Sequence, residues 1–280
     1  MSLDIHSVGA TTDKFVLEYD WKTLALYALG VGAKREELDF LYEGRGPRVL
    51  PTFAIVPSYG PVWALFDRTN CDMTKLFHGG QTVRIHRPIP PKGRFETIGS
   101  VHAIYDMKRF AQVVLKTRSE IAGELVSETE WSLLVRDAGG FGGARPPKAD
   151  IPTIPDREPD FSIELATSTE QALLYRLSGD ENPLHADPEV AKTVGFAEGP
   201  ILHGLCTFGV VGRAIVRGAC AGNEARLRAF GAQFRRPVWP GDTLRTNGYV
   251  LEGGRVALEA FAGERPEPVI TSAWALIADP

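Results

Sequence analysis

Apolar and polar positions along the first half of the chain predict a helix followed by strands. Residues 21–31 carry apolar side chains at helical spacing and end at glycines, which is typical of a short helix. From Gln81 the period changes to two, because Val83 and Ile85 alternate with polar residues, as in a half-buried strand. A shorter helix is expected at residues 61–66. Three further strands are expected, at residues 94–105, 109–117 and 124–136.

A similar succession of elements starts again in the second half. Residues 161–165 fit a strand, and residues 169–177 fit a helix with Ser168 or Thr169 as its N-cap. The apolar segment 202–216 predicts a longer, largely buried helix. Four strands are expected after it, at residues 225–235, 242–251, 254–262 and 268–277. Each half therefore offers a helix followed by four strands of meander type, which predicts a sheet wrapped around one helix.

The segment between the two halves differs in composition. Residues 138–160 hold four glycines and five prolines and show little apolar periodicity, which is typical of an extended linker on the surface. We therefore divide the chain into an N-terminal repeat at residues 1–137, the linker at 138–160 and a C-terminal repeat at 161–280.

Two motifs recur at nearly the same separation, which indicates an internal duplication. Tyr27-Ala28-Leu29-Gly30 aligns with Tyr175-Arg176-Leu177-Ser178, 148 residues later. The segment around Pro88 matches the one around Pro237, 149 residues later. A near-constant offset across two motifs is typical of a repeated unit, although each match is short enough to arise by chance.

Composition argues against several classes of function. A net charge of −4 and a pI near 5.9 disfavour nucleic acid as the main partner, because phosphate binding needs clustered positive charge. No apolar run of the length needed to cross a membrane is present. The three cysteines lack the spacing of a metal site or a disulfide framework and suit a reducing compartment. We expect a cytoplasmic protein, with no signal peptide at its start and no peroxisomal address of the Ser-Lys-Leu type at its end.

One stretch of the second half concentrates groups that can transfer protons. An acid, an amide, a proline and a histidine follow one another within six residues, as Asp180, Asn182, Pro183 and His185. Proline keeps a helix from absorbing this segment, so the acid and the imidazole can point into one space, as general acid–base catalysis requires. The alternative is an ordinary turn and cap with a surface histidine. Asn182 would either position a water or the acid, or simply form the turn.

A second polar feature, His203-Gly204, begins eighteen residues after His185. The predicted buried helix starts here, so the amide of Gly204 lies near a helix N-terminus, where N–H groups lack intrahelical acceptors and the helix dipole is positive. Such an amide can stabilise a carbonyl oxygen that becomes negative during a reaction. Glycine also lets a substrate approach the backbone closely. A packing glycine beside a buried structural histidine is the alternative, and the nearby Asp180 makes the catalytic interpretation stronger.

These motifs resemble those of the R-specific 2-enoyl-CoA hydratases, also called hydratase 2, among the MaoC-like dehydratases. The main resemblance lies in residues 175–188, in Gly195-Phe196 and in residues 200–205, and it extends to the hydratase part of peroxisomal multifunctional enzymes. Shorter matching motifs cover nearly the whole chain, namely residues 27–32, Tyr42-Glu43-Gly44, Leu50-Pro51-Thr52-Phe53, His78-Gly79, Gly140-Phe141-Gly142-Gly143 and residues 236–241. The resemblance implies an α+β double hotdog fold, in which each half curls an antiparallel sheet around a long helix.

The resemblance also implies a division of roles between the two halves. The second half would keep the catalytic residues Asp180 and His185, and the first half, which has neither at the matching positions, would shape the acyl pocket. Gly204 would stabilise the thioester oxygen. Asn182 and Glu43 would support the catalytic residues. The residues that would contact the acyl-CoA are His78, Gly79, Lys108, His203 and Phe234. For Glu43 and Lys108, an ordinary solvated surface position is the alternative.

The expected reaction is the reversible syn hydration of trans-2-enoyl-CoA to (3R)-3-hydroxyacyl-CoA, in fatty-acid or sterol side-chain metabolism. Neither a metal ion nor another cofactor is required by this chemistry. The expected partners are the acyl-CoA substrate and, by resemblance only, a second copy of the chain in a homodimer. Two alternatives remain open: a dehydratase that acts on (3R)-hydroxyacyl groups held by acyl carrier protein, and a non-catalytic hotdog protein that binds acyl thioesters.

Overall fold

Ten strands form one continuous antiparallel sheet. The computed structural model describes residues 3–279. The strands are β1 (Phe15–Tyr19), β2 (Leu76–Ile85), β3 (Gly93–Met107), β4 (Phe110–Ile121), β5 (Glu124–Arg136), β6 (Phe161–Ala166), β7 (Leu227–Phe234), β8 (Thr243–Val250), β9 (Arg255–Ala262) and β10 (Ile270–Ile277). Their order across the sheet is β1-β3-β4-β5-β2-β7-β10-β9-β8-β6.

This order contains the same five-strand unit twice. The first half reads β1-β3-β4-β5-β2, and the second half, taken from its outer edge, reads β6-β8-β9-β10-β7. The two units join where β2 pairs antiparallel with β7, with Gln81 opposite Ala232. The topology agrees with the predicted duplication, and the predicted α+β double hotdog is confirmed.

Residues 3–279 contain six α-helices, of which the first, third and sixth contact strands of the sheet. They are α1 (Trp21–Gly30), α2 (Leu38–Leu41), α3 (Tyr59–Thr69), α4 (Gln171–Tyr175), α5 (Pro188–Thr193) and α6 (Gly204–Gly218). The longest is α6, and its residues from Leu205 to Val216 are all buried. In the first half, a buried 3₁₀ helix at Pro51–Ser58 leads directly into α3.

Two details of the predicted strands were wrong. The first half contains a strand that was not predicted, β1, which forms one outer edge of the sheet, whereas the strand predicted at residues 161–165 is present as β6 and forms the other edge. The strands of a half do not form a simple meander, since β2 pairs with β5 and not with the next strand, β3. A period-two pattern identifies strands but contains no information on which strands pair.

The predicted cap of α4 was also wrong. Its N-cap is Glu170, which makes no side-chain cap hydrogen bond, and neither Ser168 nor Thr169 occupies that position. Gln171 closes this turn instead, because its Oε1 accepts the N–H of Ser168 at 3.3 Å. The backbone carbonyl of Ser168 in turn accepts the N–H of Gln171 at 3.1 Å, so Ser168 takes part in this turn through its backbone and not as a side-chain cap.

Donors from the second half cap the end of α1. The amide of Gln171 donates to the carbonyls of Leu29 and Gly30 at 2.8 and 2.6 Å. The guanidinium of Arg213, on α6, donates to the carbonyl of Val31 at 3.0 Å and pairs with the carboxylate of Glu37. The last carbonyls of a helix need such external partners. These contacts fix α1 beside α4 and so hold the two halves together near the candidate site.

The segment from residue 137 to 160, which lies between the halves, contains no helix or strand. Its glycines are held by Asp106, whose carboxylate accepts the N–H groups of Gly140 and Gly142 at 2.9 and 2.7 Å and that of Lys108 at 2.8 Å. These backbone hydrogen bonds, the one from Gly140 first, lower the pKa of Asp106.

Neither a disulfide nor a helix long and apolar enough to cross a bilayer occurs among residues 3–279. All three cysteines carry free thiols, and Cys206 and Cys220 are buried. Burial raises the pKa of Cys220 to about 11 and that of Cys206 further. Both thiols therefore stay protonated and unreactive near neutral pH.

Candidate active site

Asp180 and His185 lie at the two ends of a short turn that Asn182 organises. The side-chain oxygen of Asn182 accepts the N–H of Leu184 at 3.0 Å and caps the 3₁₀ helix Pro183–His185. The backbone N–H of Asn182 donates to the carboxylate of Asp180 at 3.3 Å. Asn182 therefore forms the turn that returns His185 toward Asp180. A direct contact between Asn182 and a water stays a prediction.

His185 is held with one ring nitrogen free to accept a proton. Its Nδ1 lies 2.8 Å from the carbonyl oxygen of Ile201. Because a carbonyl oxygen only accepts hydrogen bonds, Nδ1 carries the proton, and Nε2 of the neutral ring is the acceptor. The side chain is buried, so the ring is fixed in one orientation.

Burial shifts both members of the pair toward their neutral forms. It raises the pKa of Asp180 above its ordinary value of 3.8, and His185 partly opposes that shift. It lowers the pKa of His185 below 6.5, against the opposing effect of Asp180. His185 is therefore neutral near pH 7, with Nε2 available as a base.

His203 lies behind the pair and does not titrate near neutral pH. It is fully buried, and its Nε2 donates to the backbone carbonyl of Asp180 at 3.1 Å. Its ring centroid lies 3.8 Å from that of His185 and 5.0 Å from that of Tyr175. Burial, and then the nearby His185, lower its pKa to about 2. His203 positions Asp180 and His185, and a direct contact of His203 with a ligand stays a prediction.

Gly204 is the first residue of α6, so its N–H has no acceptor within the helix. The ring of Phe234, at the end of β7, lies 3.5 Å from the point where a Cβ of Gly204 would be. The ring of His78 lies 5.1 Å from that of Phe234, edge to face. The structure thus places two predicted acyl-CoA contacts, His78 and Phe234, near Gly204, the predicted oxyanion donor, which directly follows His203 in the chain.

A bulge in β2 sets the position of His78. The register with β5 shifts between His78 and Gly80, which leaves Gly79 as the extra residue. A Cβ at Gly79 would lie 3.0 Å from the side chain of Leu134, so a larger residue at this bulge would require Leu134 to move. His78 stacks on Trp131 at 5.0 Å with 6° between the planes. Burial lowers its pKa to about 4, so the ring is neutral.

Two predicted residues, Glu43 and Lys108, are exposed. Glu43 is exposed on a 3₁₀ turn, and within residues 3–279 it makes no hydrogen bond or ion pair with Asp180 or His185. Lys108 is exposed at the turn between β3 and β4, with a φ of 67°. It lines a surface depression with Arg145 and the glycines that Asp106 holds. The roles of Glu43 and Lys108 stay predictions.

Asp180, His185 and His203 also have the residue types of a metal site. One possible ligand atom of each lies within 4.8 Å of the others. A metal bonds imidazole nitrogens in the plane of the ring, at about 2.0–2.1 Å for zinc. The centroids of the two imidazoles lie 3.8 Å apart and their planes are tilted by 30°, so in this arrangement their in-plane lone pairs do not point at one ion. That the reaction needs no metal ion stays a prediction.

Sequence reasoning assigned no role to three aromatic residues that surround the site. Tyr175 packs on His203, Trp131 stacks on His78, and Tyr59 contacts both Tyr175 and Trp131. In the sequence, Trp131 belongs to a strand pattern, and Tyr59 follows an apolar run. A single aromatic residue in an apolar segment is most often a core residue, so the sequence offered no signal for Trp131 and Tyr59, whereas Tyr175 stands in the repeated motif.

Two family models together match most of the chain. The model described as "MaoC like domain" matches residues 150–271, and the model described as "MFE-2 hydratase 2 N-terminal domain" matches residues 17–137. A structure described as a MaoC-like dehydratase from Phytophthora capsici superposes with a TM-score of 0.89 at 28% identity, covering 99% of this chain and 98% of the other.

Curated relatives agree with these models over nearly their whole length. The chain is 41% identical over 264 residues to "3-hydroxyacyl-thioester dehydratase Y" of Mycobacterium tuberculosis, covering 91% of this chain and 90% of that protein. It is 38% identical over 274 residues to "Enoyl-CoA hydratase 2, peroxisomal" of Arabidopsis thaliana, covering 90% and 88%. With both family domains in order and the Asp180–His185 pair in the second, the chain belongs to the MaoC-like hydratase 2 family.

Proposed function

We propose that the protein is a hydro-lyase that adds water reversibly to trans-2-enoyl-CoA and forms (3R)-3-hydroxyacyl-CoA. The observation that carries this proposal is the placement of Asp180 and His185 beside the N-terminus of α6, where Gly204 presents a free amide. A proton-transferring pair next to an oxyanion-binding amide suits addition across a double bond conjugated to a thioester. The names of the relatives support the same reaction class.

The chemistry assigns a role to each group. Water attacks C3 of the enoyl thioester, and the pair Asp180 and His185 takes its proton and returns a proton to C2 on the same face. The negative charge that builds on the thioester oxygen is stabilised by the Gly204 amide. Acid–base assistance of this kind contributes roughly 10²–10⁴ in rate, and one oxyanion donor contributes about 3 kcal/mol. Neither a metal ion nor another cofactor takes part in these steps.

The reverse reaction is the dehydration of a 3-hydroxyacyl thioester, which the same residues perform. The name of the Mycobacterium tuberculosis relative points to that direction. A carrier protein instead of CoA would leave the chemistry unchanged, so acyl carrier protein is the alternative carrier. We further propose that the protein works as a cytoplasmic homodimer in fatty-acid or sterol side-chain metabolism, by family resemblance.

The test is a direct assay of the purified protein with crotonyl-CoA and longer trans-2-enoyl-CoA esters. Hydration removes the ultraviolet absorbance of the conjugated thioester, and coupling to dehydrogenases specific for (3R) or (3S) alcohols identifies the product. We expect turnover with a (3R) product, and a decrease in kcat of about 10²-fold or more in Asp180→Asn and His185→Gln. No turnover at any chain length, with CoA or acyl carrier protein, would contradict the proposal and favour a non-catalytic binding protein.

A further inference from the structure

A chain of buried hydrogen bonds ends at the indole of Trp131. The indole Nε1 donates to the hydroxyl of Thr129 at 3.0 Å, and that hydroxyl lies 2.7 Å from the hydroxyl of Thr117, its partner across strands β4 and β5. The hydroxyl of Ser58 lies 3.0 Å from that of Thr117 and 3.1 Å from that of Thr129. It donates in turn to the carbonyl of Ala54 at 3.3 Å. We call Ser58, Thr117 and Thr129, which are all buried, the hydroxyl chain.

The two ends of the hydroxyl chain give it a direction. An indole N–H can only donate and a backbone carbonyl can only accept, so each hydroxyl between them can accept one hydrogen bond and donate the next. A buried polar group without a partner is costly, whereas a fully satisfied network fixes one arrangement of its members. The hydroxyl chain therefore holds the buried indole of Trp131 in one orientation.

The fixed indole is the surface on which His78 lies. His78 stacks on Trp131, with centroids 5.0 Å apart and 6° between the planes, and its Nε2 donates to the carbonyl of Gly80 at 3.1 Å. The His78 ring also meets Phe234 edge to face at 5.1 Å. The ring of Phe234 lies 3.5 Å from the point where a Cβ of Gly204 would be. Three rings in series thus connect the hydroxyl chain to the first residue of α6.

The same indole is connected to the turn of the catalytic acid through Tyr59. Trp131 meets Tyr59 edge to face at 5.7 Å. The Tyr59 ring packs against Gly179, the residue before Asp180, so closely that a Cβ at Gly179 would lie 2.8 Å from the ring. Trp131 is therefore in contact with one ring that leads to the oxyanion-binding amide and with another that packs beside the proposed acid.

From these contacts we propose that Thr129 is a positioning residue for the hydration reaction and acts through the Trp131 indole. The inference rests on the proposed hydratase function and adds a residue to it. Without its acceptor, the indole is free to rotate, and the rings of His78 and Phe234 that pack on it in series shift with it. Because these two residues are predicted acyl-CoA contacts, the thioester oxygen then binds in a changed position relative to the Gly204 amide. Misplacement of reacting groups by about 1 Å can cost roughly 10²-fold in rate.

The first test compares two replacements of Thr129. Valine has nearly the shape of threonine but no hydroxyl, so it leaves the indole N–H without an acceptor, whereas serine keeps the hydroxyl and loses the methyl group. With crotonyl-CoA, Thr129→Val is expected to lower kcat by about tenfold or more, and Thr129→Ser is expected to keep most of it. A hydroxyl with only a structural role would change the melting temperature and leave the kcat of the folded variant unchanged. That result, or an equal loss of kcat in Thr129→Ser, overturns the inference.

The matched control is Thr97→Val. Thr97 is a threonine of the same half, 1% exposed, whose hydroxyl lies 3.0 Å from that of Ser119. Within residues 3–279, this pair makes no hydrogen bond with Trp131 or with the hydroxyl chain. Thr97→Val is expected to keep the kcat of the unmodified protein, although it also loses a buried hydrogen bond. A loss of kcat as large as that in Thr129→Val would show that any buried hydroxyl of this half has the effect, which overturns the inference.

A second measurement does not depend on activity. Near-ultraviolet circular dichroism reports the fixed packing of aromatic side chains. We expect the indole bands to weaken in Thr129→Val and to stay unchanged in Thr97→Val, and equal spectra for Thr129→Val and the unmodified protein overturn the inference. Failure of the unmodified protein to hydrate any ester is the separate result that refutes the proposed function.

A substitute variant keeps the test possible if Thr129→Val does not fold. Trp131→Phe keeps an aromatic ring beside His78 but has no N–H for the hydroxyl chain to fix. We expect it to lower kcat by about tenfold or more for the same reason. An unchanged kcat in Trp131→Phe overturns the inference.

Discussion

The imidazoles of His185 and His203 lie 3.8 Å apart, yet only His185 offers a nitrogen for proton transfer at the site. His203 is fully buried, with a pKa lowered to about 2, and its Nε2 is bonded to the carbonyl of Asp180. His185 keeps Nε2 free because Nδ1 donates to Ile201. His203, which does not titrate near neutral pH, thus fixes the ring of His185. The same buried histidine also holds Asp180 through its backbone carbonyl.

Asp180→Asn is expected to abolish most of the activity while raising stability at neutral pH. Burial raises the folded-state pKa of Asp180 above its ordinary value of 3.8. A raised pKa means that ionisation opposes folding, so the stability that the protonated acid provides is lost as the pH rises from 3.8 through the folded-state value. Asparagine does not ionise, so the variant does not lose this stability as the pH rises. The measurement is the difference in melting temperature between variant and unmodified protein, which should be larger at pH 7 than at pH 4.

The control for that measurement is Asp160→Asn. Asp160 is exposed, and its pKa is lowered by the hydrogen bond from Arg157 and then by that from the Val250 amide, so its ionised form favours folding. Its replacement should therefore lower the melting temperature at pH 7. A lower melting temperature for Asp180→Asn as well would show that Asp180 is stabilised as a carboxylate.

The pH dependence of kcat/KM should have its acid limb below pH 6.5. Burial lowers the pKa of His185 from 6.5, which keeps the ring neutral and able to accept a proton down to a lower pH than an exposed histidine. As the pH falls through the lowered value, the ring becomes protonated and the rate decreases. Because Asp180 and His185 interact, the observed value belongs to the pair. A limb above pH 6.5 would mean that Asp180 raises the pKa of His185 more than burial lowers it.

Gly204→Ala and Gly209→Ala should separate catalysis from packing within one helix. A Cβ at Gly204 would have its nearest neighbour, the Phe234 ring, at 3.5 Å, an ordinary contact. The variant should fold normally but lose about tenfold or more in kcat/KM, since the methyl group occupies the approach to the amide. A Cβ at Gly209 would lie 2.3 Å from Val31, so that variant should lose about 1–3 kcal/mol of stability. Full activity in Gly204→Ala would remove the Gly204 amide from the mechanism.

Extensive dialysis against a chelator should leave kcat unchanged. The imidazoles of His185 and His203, with centroids 3.8 Å apart and planes tilted by 30°, do not point their in-plane lone pairs at one ion. The assay is hydration of crotonyl-CoA before and after dialysis, with metal content measured by elemental analysis. Loss of activity that a divalent ion restores would show that Asp180, His185 and His203 rearrange around a metal.

Much of the catalytic segment could be predicted from local sequence because its geometry is local. Asp180, Asn182 and His185 lie within six residues, and proline and Asx-turn preferences act over that distance. The N-terminus of α6 and most strands could also be predicted, because the periodicity of apolar residues alone locates these elements. The cap of α4 escaped prediction because a glutamine in the first turn replaced the expected serine or threonine cap.

The sequence by itself determined the repeat, the order of the elements and the acid–histidine pair, since each depends on residues close together in the chain. Tertiary structure decided that β2 pairs with β7, that His203 is buried behind His185, and that Tyr59 meets Tyr175, 116 residues away. Contacts of this kind arise from how the two halves pack around α6. Local propensity and periodicity describe single segments, and therefore they cannot specify which buried side chains meet when the two repeats close on one another.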